Sequence, residues 1–151
     1  MKYSEPKASN MKFYLHIEEI KNILVIRGVV KNRNAGHLFG YISENEMQLN
    51  DLFLPECVAY PLLPCLGALS PKIRLIIRNR GIGTAMLKTA VKRARFLGAN
   101  RVVGWITEND LQASPFLLSW YRRLGFRVAG SSHGFPSAKS STQIYLSEQD
   151  F

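Results

Sequence analysis

Between Arg78 and Lys88 the chain reads RNRGIGTAMLK: two glycines one residue apart, three cationic side chains around them, and the start of an apolar periodicity. Two readings fit residues of these types at this spacing. A helix N-terminus leaves backbone N–H groups unpaired and carries about half a positive charge. A strand–Gly-x-Gly–helix junction therefore lets a phosphate approach bare amides with no Cβ in the way. Alternatively, Gly81 and Gly83 serve only the dihedrals of a tight turn. Arg78 and Arg80 add positive charge at the junction. Two familiar phosphate motifs are excluded. The Walker loop needs Gly-Lys-Ser/Thr, which is missing, and the dinucleotide fingerprint needs a third small residue where this chain has Met86.

Such a junction needs a strand to enter it and a helix to leave it. IRLII has strand character and runs into the turn. From Gly83 to Leu97, Met86, Leu87, Ala90, Val91, Ala94 and Leu97 recur at helical spacing, with Lys88, Lys92 and Arg95 on the opposite face and Gly98 as the stop. RVVGWIT is then a strand. Ser114 followed by Pro115 predicts an N-cap with proline at the first helical position, and Leu117, Trp120, Tyr121 and Leu124 form one stripe of the helix it opens. FRVAG and TQIYLS are closing strands, joined by SSHGFPSAKSS.

Upstream, KFYLHIEE, NILVIRGVV, HLFGYIS and EMQLNDLFL predict a four-strand antiparallel meander, with KNRNAG as a turn. Residues 55–72 contain Pro55, Pro61, Pro64 and Pro71, which rule out a regular helix or a central strand. This apolar segment reads as a loop that is either a lid or pocket wall, or a minor packed cluster. The fold class is α/β of the α+β type: a mixed, mostly antiparallel sheet of about six to seven strands. A strand–helix–strand crossover between parallel neighbours, from IRLII to RVVGWIT, lies at its centre, with a second helix near the C-terminus.

The 151 residues are expected to form a single domain, 1–151, with 1–10 as a polar, disordered tail. A net charge of +9 favours an anionic partner: nucleic acid, an anionic surface, a phosphorylated cofactor or an acidic substrate. Cys57 and Cys65 lack metal-site spacing and are expected to be free thiols, and no metal site is expected. MKYSEPKASN has no apolar core, so it does not read as a signal peptide, and CVAYPLLPCLGAL is too short to span a bilayer. A cytoplasmic protein with no membrane partner is the expectation.

Arg78, Gly81 and Gly83 fill the fixed places of the Arg-x-x-Gly-x-Gly signature of the GCN5-related N-acetyltransferases (GNAT), and RNRGIGTAML resembles the family's common form throughout. Downstream, RVVGWITEND resembles the family's fifth strand and the polar residues after it. WYRRLGFRV resembles the Tyr-x-x-x-Gly-Phe ending of its last helix. The resemblance covers Ile73 to Val128. Three departures stand out: the helices between the first two strands are missing, the loop 55–72 is long, and the twelve-residue spacing from Asn109 to Tyr121 exceeds the usual one.

The resemblance implies acetyl-CoA as the cofactor. The backbone of Arg78, Asn79, Arg80, Gly81, Ile82, Gly83 and Thr84 would bind its pyrophosphate, with Ile77 beside the pantetheine arm and Asn109 a further cofactor contact. A neutral primary amine would attack the thioester directly in a ternary complex, with alignment, oxyanion stabilisation and proton removal supplied by the protein. By the same resemblance Tyr121 lies near the sulfur. A phenol near pKa 10 is a weaker acid than a thiol near 8.5, so complete proton transfer would be uphill by about 2 kcal/mol, and hydrogen bonding to the departing sulfur is the expected role.

For the base, Asp51, Glu56, His133 and a water relay all remain open; the structural alternatives are a hydrogen-bond role for Asp51, a solvated charge for Glu56 and an exposed loop position for His133. His16 and His37 read as surface or edge residues, Trp105 and Trp120 as core. The acceptor is a small-molecule or peptide amine, and the chain a monomer or homodimer. Two other readings are a nucleic-acid-binding module and a CoA-binding domain without catalysis. Cations gathered around Arg74, Arg78 and Arg80 and on two helices, instead of interleaved with aromatics on a sheet, disfavour nucleic acid.

Overall fold

Alternation builds the first strands. In Ile23–Val30 the residues Leu24, Ile26, Gly28 and Val30 are buried while those between them are half-buried, the period of two that a pleated strand imposes. The computed structural model describes residues 2–3, 11–129 and 141–150. Among the described residues there are ten strands: β1 (Lys2–Tyr3), β2 (Phe13–Ile20), β3 (Ile23–Val30), β4 (Arg33–Ser43), β5 (Glu46–Phe53), β6 (Cys57–Pro61), β7 (Lys72–Ile76), β8 (Arg101–Thr107), β9 (Arg127–Ala129) and β10 (Ser141–Leu146). The helices are α1 (Ile82–Phe96), α2 (Glu108–Ala113) and α3 (Leu117–Arg123). Eight strands form one sheet in the order β1-β2-β3-β4-β5-β8-β10-β9, while β6 and β7 form a separate two-stranded ribbon. The mixed, mostly antiparallel sheet, the meander β2–β5 and the direct passage from β2 to β3 match the expected fold.

The crossover departs from expectation in one respect. The parallel neighbour of β8 is β5, paired from Glu46↔Arg101 to Leu49↔Gly104. The strand that enters the glycine turn, β7, instead pairs antiparallel with β6, from Cys57↔Ile76 to Pro61↔Lys72. Residues 55–72 are thus not wholly a loop: 57–61 are the first strand of a hairpin with β7, and 62–71 are its connection, which includes a 3₁₀ turn (Pro64–Leu69). The prolines permit this because Pro61 and Pro71 stand at the ends of the ribbon, where no ladder donor is lost. Its tip leaves Leu62, Leu63, Leu66 and Leu69 exposed.

By contact density the chain divides into two units, 1–39 with 51–90 and 40–50 with 91–151. The first has Leu15, Leu24, Ile26, Leu38, Ile77, Ile82, Met86 and Leu87 in its core. There α1 begins against β3: a Cβ on Gly28 would lie 2.7 Å from Ile82 Cγ2, so the strand must be bare for the helix to start where it does. The second has Met47, Val102, Ile106, Tyr121, Phe126, Ile144 and Leu146 in its core.

After β8 the chain forms a helix that was not expected. Thr107 Oγ1 accepts from the Asp110 amide at 3.2 Å, and Asp110 Oδ2 accepts from the Thr107 amide at 2.9 Å, a capping box that opens α2. Ser114 is therefore the C-cap of α2, not an N-cap, and α3 starts at Leu117 after Phe116 with no side-chain cap. Trp105 is 38% exposed and Trp120 half-buried, so neither is a core residue.

Candidate active site

The turn between β7 and α1 is built by two backbone anchors. The Glu56 carbonyl accepts from the amides of Ile77 (3.0 Å) and Arg78 (3.4 Å), and the Ile77 carbonyl accepts from the Arg80 amide (3.3 Å). The latter bond closes a β-turn in which Asn79 has φ +63°, the left-handed position that a type II turn gives to glycine or asparagine. Gly81 follows at φ +83°, and the first bond of α1 runs from the Ala85 amide to its carbonyl at 2.9 Å. Among the described residues, the amides of Asn79, Gly81, Ile82 and Gly83 have no hydrogen-bond partner. Those of Arg78 and Arg80 are already used. Gly81 is exposed, and a Cβ there would meet nothing within 4 Å; Gly83 and Ile82 are buried, and Ile77 closes the strand end at 2% exposure. Thr84 is half-buried in the first helical turn.

Charge gathers around this turn. Residues 57–107 contain nine Lys and Arg and no Asp or Glu, so this segment carries a charge equal to the whole net +9. The first turn of α1 has no acidic residue to offset its positive end. Arg78 and Arg80 are exposed and have no carboxylate partner among the described residues. Bare amides, open space at Gly81 and unpaired cations together fit a diphosphate.

In the second unit, Tyr121 is placed by the way α3 ends. The Gly125 amide bonds the Arg122 carbonyl at 3.0 Å and the Phe126 amide bonds the Tyr121 carbonyl at 3.1 Å, a Schellman closure with Gly125 at φ +92°. Its usual apolar contact is the Tyr121–Phe126 ring pair, centroids 5.4 Å apart and edge-on. The Tyr-x-x-x-Gly-Phe pattern is thus a helix stop that also fixes the tyrosine ring. Trp120 packs edge-on at 4.7 Å on the same ring. Burial, and secondarily the negative charge of Asp110, push the Tyr121 phenol up to about 12. Its hydroxyl has no partner among the described residues, yet no buried side-chain oxygen there lacks one, so the hydroxyl reaches the surface of the buried ring.

The remaining candidates are dispersed. Asn109 is exposed within α2. The Glu56 side chain is exposed, and it is the residue's carbonyl that serves the turn. His133 lies outside the described residues. Asp51 Oδ2 meets His37 Nε2 at 2.8 Å across β4 and β5, and the His37 ring packs on Phe53 with centroids 5.6 Å apart. Sequence reading gave Asp51 a place as base or hydrogen-bond partner but left His37 as an edge residue. With Asp51 accepting from Nε2–H, Nδ1 of His37 is left to take a proton. Among the described residues no group of three His, Cys, Asp or Glu side chains is placed to hold a metal, both cysteines are free, and no helix is long and apolar enough to cross a membrane.

Residues 77–126, which run from the end of the turn strand to Phe126, match the acetyltransferase (GNAT) family. No curated protein sequence matches the chain. Among solved structures, PaiA N-acetyltransferase from Thermoplasma acidophilum in complex with coenzyme A is similar with a TM-score of 0.59 at 17% identity, over 83% of this chain and 61% of that one. The ribosomal-protein-S18-alanine N-acetyltransferase from Escherichia coli has a TM-score of 0.58 at 13% identity, over 85% and 71%. The Bacillus subtilis acetyltransferase in complex with CoA has a TM-score of 0.58 at 15% identity, over 85% and 78%. The chain therefore spans less than two thirds of the length of the Thermoplasma protein. The family model thus covers the stretch from the glycine turn to the end of α3, and the solved structures share the fold of this chain.

Proposed function

We propose that this chain is an acetyl-CoA-dependent N-acetyltransferase that acts on a primary amine by direct attack in a ternary complex. The observation that carries the reading is the run of unpartnered amides at Gly81, Ile82 and Gly83, flanked by the unpaired Arg78 and Arg80. Acetyl-CoA supplies an activated acyl thioester. The protein's part begins with the pyrophosphate, held by the amides of Asn79, Gly81, Ile82 and Gly83 and by the two arginines, while Ile77 lies along the pantetheine arm. Thr84 and Asn109 are assigned as outer contacts.

With Asp51 accepting from Nε2–H, Nδ1 of His37 would take the proton that the acceptor nitrogen loses as it displaces the thiolate from the acyl group. Tyr121 donates a hydrogen bond to the departing sulfur. Because His37 and Asp51 act as a unit in this scheme, His37→Gln and Asp51→Asn are each expected to lower kcat by about 10²-fold, and the double variant to fall little further. Independent, multiplying losses would remove the pair from the mechanism. The reading as a whole is tested by titrating the full chain with acetyl-CoA in a calorimeter and then following free-thiol release with amines. Saturable binding that weakens with added salt is expected. No detectable binding at high micromolar concentration would overturn it.

A further inference from the structure

A second recognition surface adjoins the glycine turn. A cleft of about 1160 Å³ opens in the first unit between the start of β2, the β3–β4 turn and the ribbon, and Arg80 of the glycine turn forms part of its wall. Its volume lies at or above the upper end of the range of about 300–1,000 Å³ usual for small-molecule sites. Four cations line it, Lys12, Lys31, Arg33 and Arg80, and no carboxylate does. Asn32 apart, the rest of the wall is aromatic or apolar, with Tyr60 and Leu62 from the ribbon side.

Elsewhere in the described residues arginines meet carboxylates: Arg27 with Glu18, Arg101 with Glu46 and Arg127 with Asp150. None of the four cleft cations has such a partner there. The rim is also held under strain. Lys31 and Asn32 both sit in the left-handed region, at φ 50° and 59°, in a two-residue turn that favours Asn-Gly. The Tyr14 hydroxyl donates across to Asn32 Oδ1 at 3.4 Å. A lysine kept in that conformation beside Arg33 holds positive charge on the cleft where a glycine would relax the turn.

We infer that this cleft selects the acceptor, and that the acceptor is an anionic amine: one carrying a carboxylate or phosphate on an apolar or aromatic body. The inference rests on the acetyltransferase reading and names its substrate class. Unpaired cations attract such a group and repel polyamines and lysine-rich peptides, while the aromatic and leucine walls cover its body. The bond made and the bond broken are those of the proposed transfer; the cleft adds selection only.

The test uses the full chain with and without saturating CoA, and measures binding by calorimetry. The probes are the tripeptide amines Ala-Glu-Phe, Ala-Gln-Phe and Ala-Lys-Phe, and phenyl phosphate against phenol. Expected is tighter binding of Ala-Glu-Phe than of Ala-Gln-Phe, weakest binding of Ala-Lys-Phe, and binding of phenyl phosphate over phenol. In Lys31→Glu/Arg33→Glu the affinity for both anions should fall at least about tenfold, with affinity for acetyl-CoA unchanged. A carboxylate preference without a phosphate preference, or the reverse, identifies which anion is meant; either supports the inference. Equal binding of all probes, or preference for Ala-Lys-Phe, overturns it. So does a double variant that loses CoA and keeps the probes, because the cleft would then hold the cofactor's own phosphates. A wild-type chain that binds the anions but not acetyl-CoA would instead sink the acetyltransferase reading.

Discussion

Tyr121→Phe should reduce kcat by about 10²–10³-fold while leaving acetyl-CoA affinity nearly unchanged, because it removes one hydrogen-bond donor that acts only as the sulfur departs. The ring remains, so the packing on Phe126 and Trp120 is kept. With the phenol pushed up to about 12, it lies about 3.5 units above a free thiol, and full proton transfer to the leaving group would be uphill by about 5 kcal/mol. Hydrogen bonding is therefore the contribution this residue can make. The same burial has a thermodynamic signature. The folded phenol keeps its proton above pH 10, where the unfolded one releases it, so the stability tied to this group is complete below pH 10 and is lost as pH rises through about 12. The total is about 3 kcal/mol. Denaturant melts from pH 9 upward should show wild type losing that amount relative to Tyr121→Phe, since the phenylalanine has nothing to titrate. A constant gap between the two proteins would mean the phenol is solvated. Unchanged turnover in Tyr121→Phe with a good acceptor would end the leaving-group role.

Much of the frame is visible in residue order alone. The meander follows from two-residue periodicity, and α1 runs from Ile82 to Phe96, within a residue at each end of the periodic stretch 83–97. The reason is that strong amphipathic periods are local statements about which side faces the core. Strand β7 is visible as IRLII, but β6 and its pairing with β7 were hidden because prolines weaken strand signals; only the pairing of Val58 with Leu75 and its neighbours shows that they stand where the ladder tolerates them. Helix α2 was hidden because its capping box uses Asp110 in the place where glutamate or glutamine is expected, and because six residues carry too little periodicity to register. For the candidate site, the motif residues are visible in the sequence and their contacts are not. His37 and Asp51 are fourteen positions apart and meet only because β4 and β5 are neighbours. That the Arg78 amide is consumed by the Glu56 carbonyl depends on a backbone contact across the ribbon, which no local pattern encodes.

Gly81→Val separates the two readings of the glycine turn. At φ +83° a side chain of L-configuration is strained by about 1–2 kcal/mol, and a β-branched one more than alanine. Among the described residues, its chain neighbours apart, no atom lies within 4 Å of where the Cβ would go, so the Cβ itself costs no packing there. The stability change therefore measures the dihedral alone. If the turn exists to grip a diphosphate, the valine methyls occupy the space that the phosphate oxygens need beside the amides of Gly81 and Ile82. Affinity for acetyl-CoA should then fall by at least about 100-fold, more than 2.7 kcal/mol, in a protein that is still folded. Gly81→Ala, with a similar strain and a smaller intrusion, should sit between the two. If valine lowers stability by the expected amount but acetyl-CoA still binds within about tenfold of wild type, the glycine serves only to turn the chain. The positive charge of residues 57–107 would then need a different anion to explain it.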